Sequence, residues 1–146
     1  ELDPGFALAH FNLGSVLEAR GDWTGALAKY QEAASLSGDA PMYVAFVARA
    51  QGLLGRPDEA RASLRRVIAG AEAGAPLSIY IAHAYEGLGE TEEALDWLER
   101  ALADDDPLIL AVGSTWLPFD RLRGSPRYAE IRRRVPKGTL ARPASD

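Results

Sequence analysis

Few side chains in this sequence have the type and spacing that chemistry requires. His83 and Glu86 lie three residues apart, so on a helix they share a face and could bind a metal ion or transfer a proton. Two groups do not complete such a site, and the chain has no cysteine to supply a thiolate. Residues 104–106 are all aspartate but lack the alternating spacing of a calcium loop. We therefore expect no catalytic residue, no bound metal and no cofactor.

The composition is that of a globular domain. Of the 146 residues, 47% are hydrophobic and 25% are charged, and the length suits one domain. The strongly apolar run at residues 107–112 is far shorter than the roughly 20 residues that cross a bilayer. The chain starts at Glu1 without a Met or an apolar leader, which we interpret as a cut within a longer protein. We expect a cytoplasmic protein without membrane contact.

A repeat of constant length organises the elements that position these side chains. Gly21, Gly55 and Gly89 are 34 residues apart, and each is followed five residues later by an alanine. Apolar residues follow helical spacing on both sides of each glycine, so each unit is predicted to be a helical hairpin. The glycines end the first helices, and the second helices are predicted to start near Asp22, Pro57 and Thr91. The alanines are Ala26, Ala60 and Ala94, where the two helices of a hairpin cross.

The repeat resembles the tetratricopeptide repeat (TPR) family. The signature positions of the first unit are Leu13, Gly14, Gly21, Ala26, Tyr30 and Ala33, with His10 in place of the usual Trp. The third unit matches at Tyr85, Gly89, Ala94 and Ala101, and the second mainly at Gly55 and Ala60. The resemblance implies an all-α fold, a right-handed superhelix (α-solenoid) of antiparallel helix hairpins. Its units are 7–40, 41–74 and 75–108, and residues 1–6 resemble the end of a preceding repeat.

The register fails after residue 108, where we expect a degenerate capping unit, 109–135, and a flexible tail, 136–146. Residues 108–116 are predicted to form a first helix, and Ser125 and Pro126 to open a last one. Residues 119–128 are similar to the "FDPLRxDPRF" ending of bacterial regulators that carry these repeats beside a winged-helix, cyclase or kinase domain. Residues 132–134 are arginines that we expect on a solvated face. The chain as a whole is acidic, with a net charge of −5, which disfavours binding of nucleic acid.

The family binds ligands in a concave groove lined by the first helix of each unit. Carried over to this sequence, the groove residues are Leu8, Phe11, Asn12, Ser15, Met42, Ala45, Phe46, Arg49, Ile79, Tyr80, His83 and Glu86. Members that hold a chaperone C-terminus use a clamp lysine where this chain has Phe11, so we expect apolar anchors with secondary polar contacts. Alternatively, Phe11, Met42 and Tyr80 pack against neighbouring helices.

Two functions follow from the resemblance. The first is a non-catalytic protein–protein interaction module that binds a peptide or helix in the groove, as the partner-binding part of a larger bacterial regulatory protein. The second is a structural element that forms homo-oligomers by stacking through its open N-terminal end. Both predict a protein or peptide partner, and neither predicts contact with a membrane.

Overall fold

Stacked helical hairpins make up the fold of this protein. The computed structural model describes residues 4–114 and 117–136. Its α-helices are α1 (Pro4–Ala19), α2 (Trp23–Leu36), α3 (Pro41–Leu53), α4 (Pro57–Glu72), α5 (Ser78–Leu88), α6 (Thr91–Ala103) and α7 (Pro126–Arg134). Short 3₁₀ helices lie at Pro107–Ala111 and Asp120–Leu122. The described residues contain no strand, only one isolated bridge between Val112 and Leu117, so the predicted all-α fold is confirmed.

The residues that were predicted to start and end the helices do so in the structure. Gly21, Gly55 and Gly89 have φ values of 78°, 72° and 77°, a left-handed conformation that a side chain disfavours, and each ends the first helix of its hairpin. Asp22 caps α2 by accepting a hydrogen bond from the Gly25 N–H at 2.8 Å. Pro57 occupies the first turn of α4.

The hairpins stack because each first helix also contacts the preceding hairpin. Helix α3 packs against α2, α4 and α5, and α5 packs against α3, α4 and α6. Ala26, Ala60 and Ala94 are fully buried, as the crossing positions predicted. We call α1, α3 and α5 the inner helices, and the side that carries the predicted groove residues the inner face.

The C-terminal segment differs from its prediction in one element. Instead of a helix over residues 108–116, a short 3₁₀ helix ends at Ala111, and residue 116 lies outside the described part. The Gly113 N–H donates to the Leu117 carbonyl, which turns the chain away from a helical path. The last helix begins as predicted, because Ser125 accepts a hydrogen bond from the Tyr128 N–H and Pro126 follows the cap.

Candidate functional site

The inner helices place many of the predicted groove residues side by side. The rings of Phe11 and Phe46 meet edge to face with their centroids 4.8 Å apart, and Phe46 lies 5.4 Å from the His83 ring. The Tyr80 ring lies 6.4 Å from that of Phe46. A row of rings therefore joins the three repeat units along the face on which ligand binding was predicted.

Burial divides the predicted groove residues into two groups. The buried ones are Phe11, Ala45, Phe46, Arg49, Ile79, His83 and Glu86. Leu8 and Asn12 are exposed, whereas Ser15, Met42 and Tyr80 are half-buried. The interpretation that Phe11 packs against neighbouring helices is confirmed, because its ring contacts rings of both α2 and α3. The buried group forms the floor of the inner face and does not offer its side chains as freely protruding anchors.

The chain itself covers part of the inner face. Phe119 packs edge-on against His83 with ring centroids 5.3 Å apart and is almost fully buried. The backbone N–H of Arg121 donates to Glu86 Oε1 at 3.0 Å, and its guanidinium donates to carbonyls at the end of α5. Residues 117–123 therefore occupy the inner face in front of α5 and separate His83 and Glu86 from any ligand.

A buried arginine links all three repeat units. Arg49 Nε donates to Glu18 Oε1 of the first unit at 3.1 Å, and its Nη1 donates to the Glu86 carboxylate of the third. The Tyr30 hydroxyl donates to the other Glu18 oxygen at 2.6 Å, and burial together with this carboxylate raises the pKa of Tyr30 above its usual range. Sequence reasoning treated Arg49 and Glu86 as separate polar points. The available signal was that Glu18 and Glu86 hold the same repeat position two units apart.

His83 is enclosed and neutral. Burial, assisted by the nearby Arg49 charge, lowers the pKa of His83 well below its usual value, opposed by a hydrogen bond to the Pro118 backbone. Its Nε2 atom has no hydrogen-bond partner in the described part of the chain. Glu86 is already engaged by Arg49 and Arg121, so the pair is not arranged to shuttle a proton to a ligand.

The inner face stays open between α1 and α3 because these two helices pack against each other differently from α3 and α5. Helices α3 and α5 touch through their backbones: a Cβ atom on Gly87 would lie 2.8 Å from the Arg49 carbonyl oxygen. Helices α1 and α3 meet instead through the large rings of Phe11, Tyr43 and Phe46. Bulky side chains keep these two backbones further apart, and a cavity lies beside them.

This cavity, which we call the inner pocket, has a volume of about 580 Å³. On the repeat side it is lined by Ser15, Glu18, Ala19, Trp23, Tyr30, Phe46 and Arg49. On the other side it is lined by Gly113, Ser114, Pro118, Asp120 and Arg123 of the C-terminal segment. Three predicted groove residues, Ser15, Phe46 and Arg49, contribute to it. The wall from the C-terminal segment was not predicted, because no repeat pattern shows where a chain folds back.

The basic C-terminal region is largely neutralised by its own surroundings. Arg127 reaches from α7 to three carboxylates of α6, at 3.0 Å to Glu92, 2.5 Å to Asp96 and 2.7 Å to Glu99. The arginines at 132–134 are exposed, as predicted, and Arg133 pairs with Glu130 on its own helix. The C-terminal region is therefore not one continuous patch of unpaired positive charge.

Two kinds of site are not seen in residues 4–114 and 117–136. No group of three His, Cys, Asp or Glu side chains is placed to hold a metal ion. None of the helices there is long and apolar enough to span a bilayer.

Comparison with protein families agrees with the repeat. Residues 7–40 match one family model described as Tetratricopeptide repeat, and residues 53–112 match a second model with the same description. Together the two ranges cover more than half of the chain. Searches of the curated proteins and of the solved structures gave no significant match.

Proposed function

Because the chain belongs to the tetratricopeptide repeat family, whose repeats generally mediate protein–protein interaction, we propose that it binds a peptide or helix of a partner protein on its inner face. It acts as a non-catalytic module, typical of the family, within a larger bacterial regulatory protein. The regulatory context rests on the resemblance of residues 119–128 to the ending of such regulators.

The inner pocket is the observation that carries this proposal. Its volume of about 580 Å³ accommodates one or two large side chains of a partner. Tyr30 and Phe46 supply an aromatic floor, and Trp23 adds a further ring to the lining. Buried aromatic surfaces in such a concavity favour an apolar anchor residue from the partner.

Charged groups of the pocket add a polar requirement. Glu18 and Arg49 lie in its lining on the repeat side, and Asp120 and Arg123 on the opposite side. Glu18 and Arg49 already satisfy each other, so they favour a partner that adds hydrogen bonds over one that brings an unpaired charge. The partner segment is therefore expected to combine one buried aromatic or aliphatic residue with neutral polar neighbours.

Blocking the pocket tests the proposal. A peptide selected for binding from a random display library serves as the probe, and its affinity is measured by calorimetry. Ala19→Trp fills the pocket from an exposed position of α1 and is expected to weaken binding at least tenfold. Ala28→Trp, at an exposed position of α2 outside the lining, is the matched control and should bind like the wild type.

Equal affinity of the Ala19→Trp variant and the wild type would place the partner elsewhere. A library that yields no binder at all would argue against peptide recognition on this face. Phe11→Ala is a poor probe of binding, because removal of this buried ring also lowers stability.

A further inference from the structure

Residues 117–123 lie on the inner face as a bound peptide would. The ring of Phe119 lies 5.3 Å from the ring of His83, and the Arg121 N–H donates to Glu86 Oε1 at 3.0 Å. Phe119 is 1% exposed, so its ring is almost completely removed from water. Two contacts therefore hold this segment to the third repeat unit, an aromatic ring and a backbone N–H two residues later.

The conformation of the segment explains why this N–H is available. Phe119 precedes the short 3₁₀ helix Asp120–Leu122, and the Leu122 N–H donates to the Phe119 carbonyl at 3.1 Å. The first N–H groups of a helical turn have no acceptor within the turn. The Arg121 N–H is one of these groups, and Glu86 accepts its hydrogen bond. The interior of an α-helix has no N–H to donate in this way, because each is bonded within the helix.

The first repeat unit carries the same carboxylate in a more accessible place. Glu18 stands two repeats before Glu86, and Ser15 stands two repeats before His83. The Glu18 side chain is 14% exposed and lines the inner pocket, whereas that of Glu86 is 2% exposed. Ser15 also lines the pocket, and its side chain is much smaller than that of His83. The pocket therefore combines the acceptor of the third unit with space for a ring beside it.

The charges around Glu18 favour an uncharged donor. Arg49 lies between Glu18 and Glu86, so one cation serves two carboxylates. Glu18 accepts hydrogen bonds from Arg49 and from the Tyr30 hydroxyl, and a carboxylate has about four acceptor positions in all. A backbone N–H fills a further position and brings no additional charge out of water.

Aromatic side chains of the inner pocket provide the other contact. The rings of Tyr30 and Phe46 lie 5.4 Å apart, and both residues line the pocket. The opposite wall contains Pro118 and the ion pair of Asp120 with Arg123, which belong to the segment that contacts α5. A ligand in the pocket is therefore continuous with the segment that already occupies the neighbouring part of the inner face.

We infer that the partner segment binds the inner pocket as a tight turn that begins with an aromatic residue, and that the backbone N–H two residues later donates to Glu18. The ring packs on Phe46 and Tyr30, as the Phe119 ring packs on His83. The inference rests on the proposed function, because it specifies the kind of segment that the same pocket accepts. The partner contributes a turn and not the side of an amphipathic helix.

Replacement of single amides in a bound peptide by esters tests the inference, because an ester lacks the N–H. The probe is a peptide from the random library whose binding Ala19→Trp weakens. An ester at the amide two residues after the aromatic residue should weaken binding at least tenfold, since a hydrogen bond to a charged acceptor is lost. An ester at the last amide of the peptide is the control and should bind like the parent.

A pair of protein variants locates the acceptor. Glu18→Gln should reduce the effect of the ester, because the charge of the acceptor is removed. Glu93→Gln, at an exposed position of α6 outside the pocket lining, is the matched control and should leave the effect of the ester unchanged. Circular dichroism shows whether both variants are folded, and the comparison of the peptides on the wild type needs no variant.

An ester at this amide that binds as tightly as the parent peptide overturns the inference. A pocket-binding peptide that lacks an aromatic residue, or that is helical when bound, overturns it as well. In each of these cases the proposed function stands, because a peptide still binds in the pocket. A library without any pocket binder contradicts the proposed function and the inference together.

Discussion

Arg49 is the residue that holds the polar part of the inner face together. It is buried between two carboxylates that come from the first and the third repeat unit. Taking three charged groups out of water is costly, and the arrangement persists because each carboxylate has further donors, Tyr30 for Glu18 and the Arg121 N–H for Glu86. Removal of the arginine leaves the buried carboxylate of Glu86 and the partly buried carboxylate of Glu18 without the cation that they share.

We therefore expect Arg49→Met to lower the free energy of unfolding by about 3 to 5 kcal/mol, the range found when one partner of a buried ion pair is removed. Chemical denaturation with a circular dichroism signal measures this change. Arg65→Met, at an exposed position of α4, is the control and should stay within about 0.5 kcal/mol of the wild type. A loss below about 1 kcal/mol for Arg49→Met would mean that the buried pairing is not maintained in solution.

His83 makes the stability of the fold depend on pH. Burial lowers the pKa of His83 in the folded state, so below the unfolded pKa of about 6.5 the unfolded chain binds a proton that the folded chain does not. Protonation therefore favours the unfolded state, and stability falls as pH drops below this value. Asp106 acts in the opposite direction, since burial raises its pKa.

Between pH 7.5 and pH 5.5 the wild type should lose about 1 to 1.5 kcal/mol of unfolding free energy through His83. His83→Gln removes the titrating group and should lose less than half of this amount, although it is less stable overall. The comparison uses denaturant midpoints at both pH values, with Ala28→Gln, at an exposed position of α2, as the control that keeps the wild-type dependence. If the two variants respond equally to pH, the enclosed histidine is not the source.

At the scale of elements, the helical hairpins can be predicted from the sequence, whereas the C-terminal segment can be predicted only in part. Glycines in the left-handed conformation, an Asp cap and small crossing residues act within one hairpin, so a window of 34 residues contains their signal. Ser125 and Pro126 likewise predict the start of α7 locally. The 3₁₀ helix at Pro107–Ala111 and the contact of Phe119 with His83 depend on tertiary packing, which no local pattern shows.

Arg127 attaches helix α7 to α6 through ion pairs, beside the buried apolar side chains of α7. A hydrogen bond from this guanidinium lowers the pKa of Glu99, as expected for a carboxylate next to a bound cation. The side chains of Tyr128 and Ile131 add buried apolar contact, but the helix is short. Partly exposed ion pairs contribute little singly, so the three carboxylates act together.

Arg127→Gln should therefore loosen α7 without unfolding the repeats. We expect hydrogen exchange of residues 126–134 to accelerate several-fold, corresponding to about 1 kcal/mol, and the difference from the wild type to shrink at 1 M salt. Arg133→Gln, which removes a pair within α7, is the control and should exchange like the wild type. Unchanged protection in Arg127→Gln would show that apolar contacts alone hold the helix.

At the scale of the whole molecule, the repeat predicts which side of the array faces a ligand but not which part of that side is open. Phe11 and Phe46 stand at groove positions of the family, and their large rings form part of the floor of the inner face, next to the inner pocket. His83 and Glu86 are equally well placed by register, yet residues 117–123 cover them. The position of a residue in the repeat determines which way its side chain faces. Whether a ligand can reach that side chain depends on distant parts of the chain.

The return of residues 117–123 to α5 has a consequence for how the array comes apart. In a linear stack each hairpin touches only its neighbours, so either end can fray independently. Here Arg121 and Phe119 fasten the last hairpin to a segment more than 30 residues away. On heating, α1 and α2 should therefore unfold first. The C-terminal half should unfold last, as one cooperative unit.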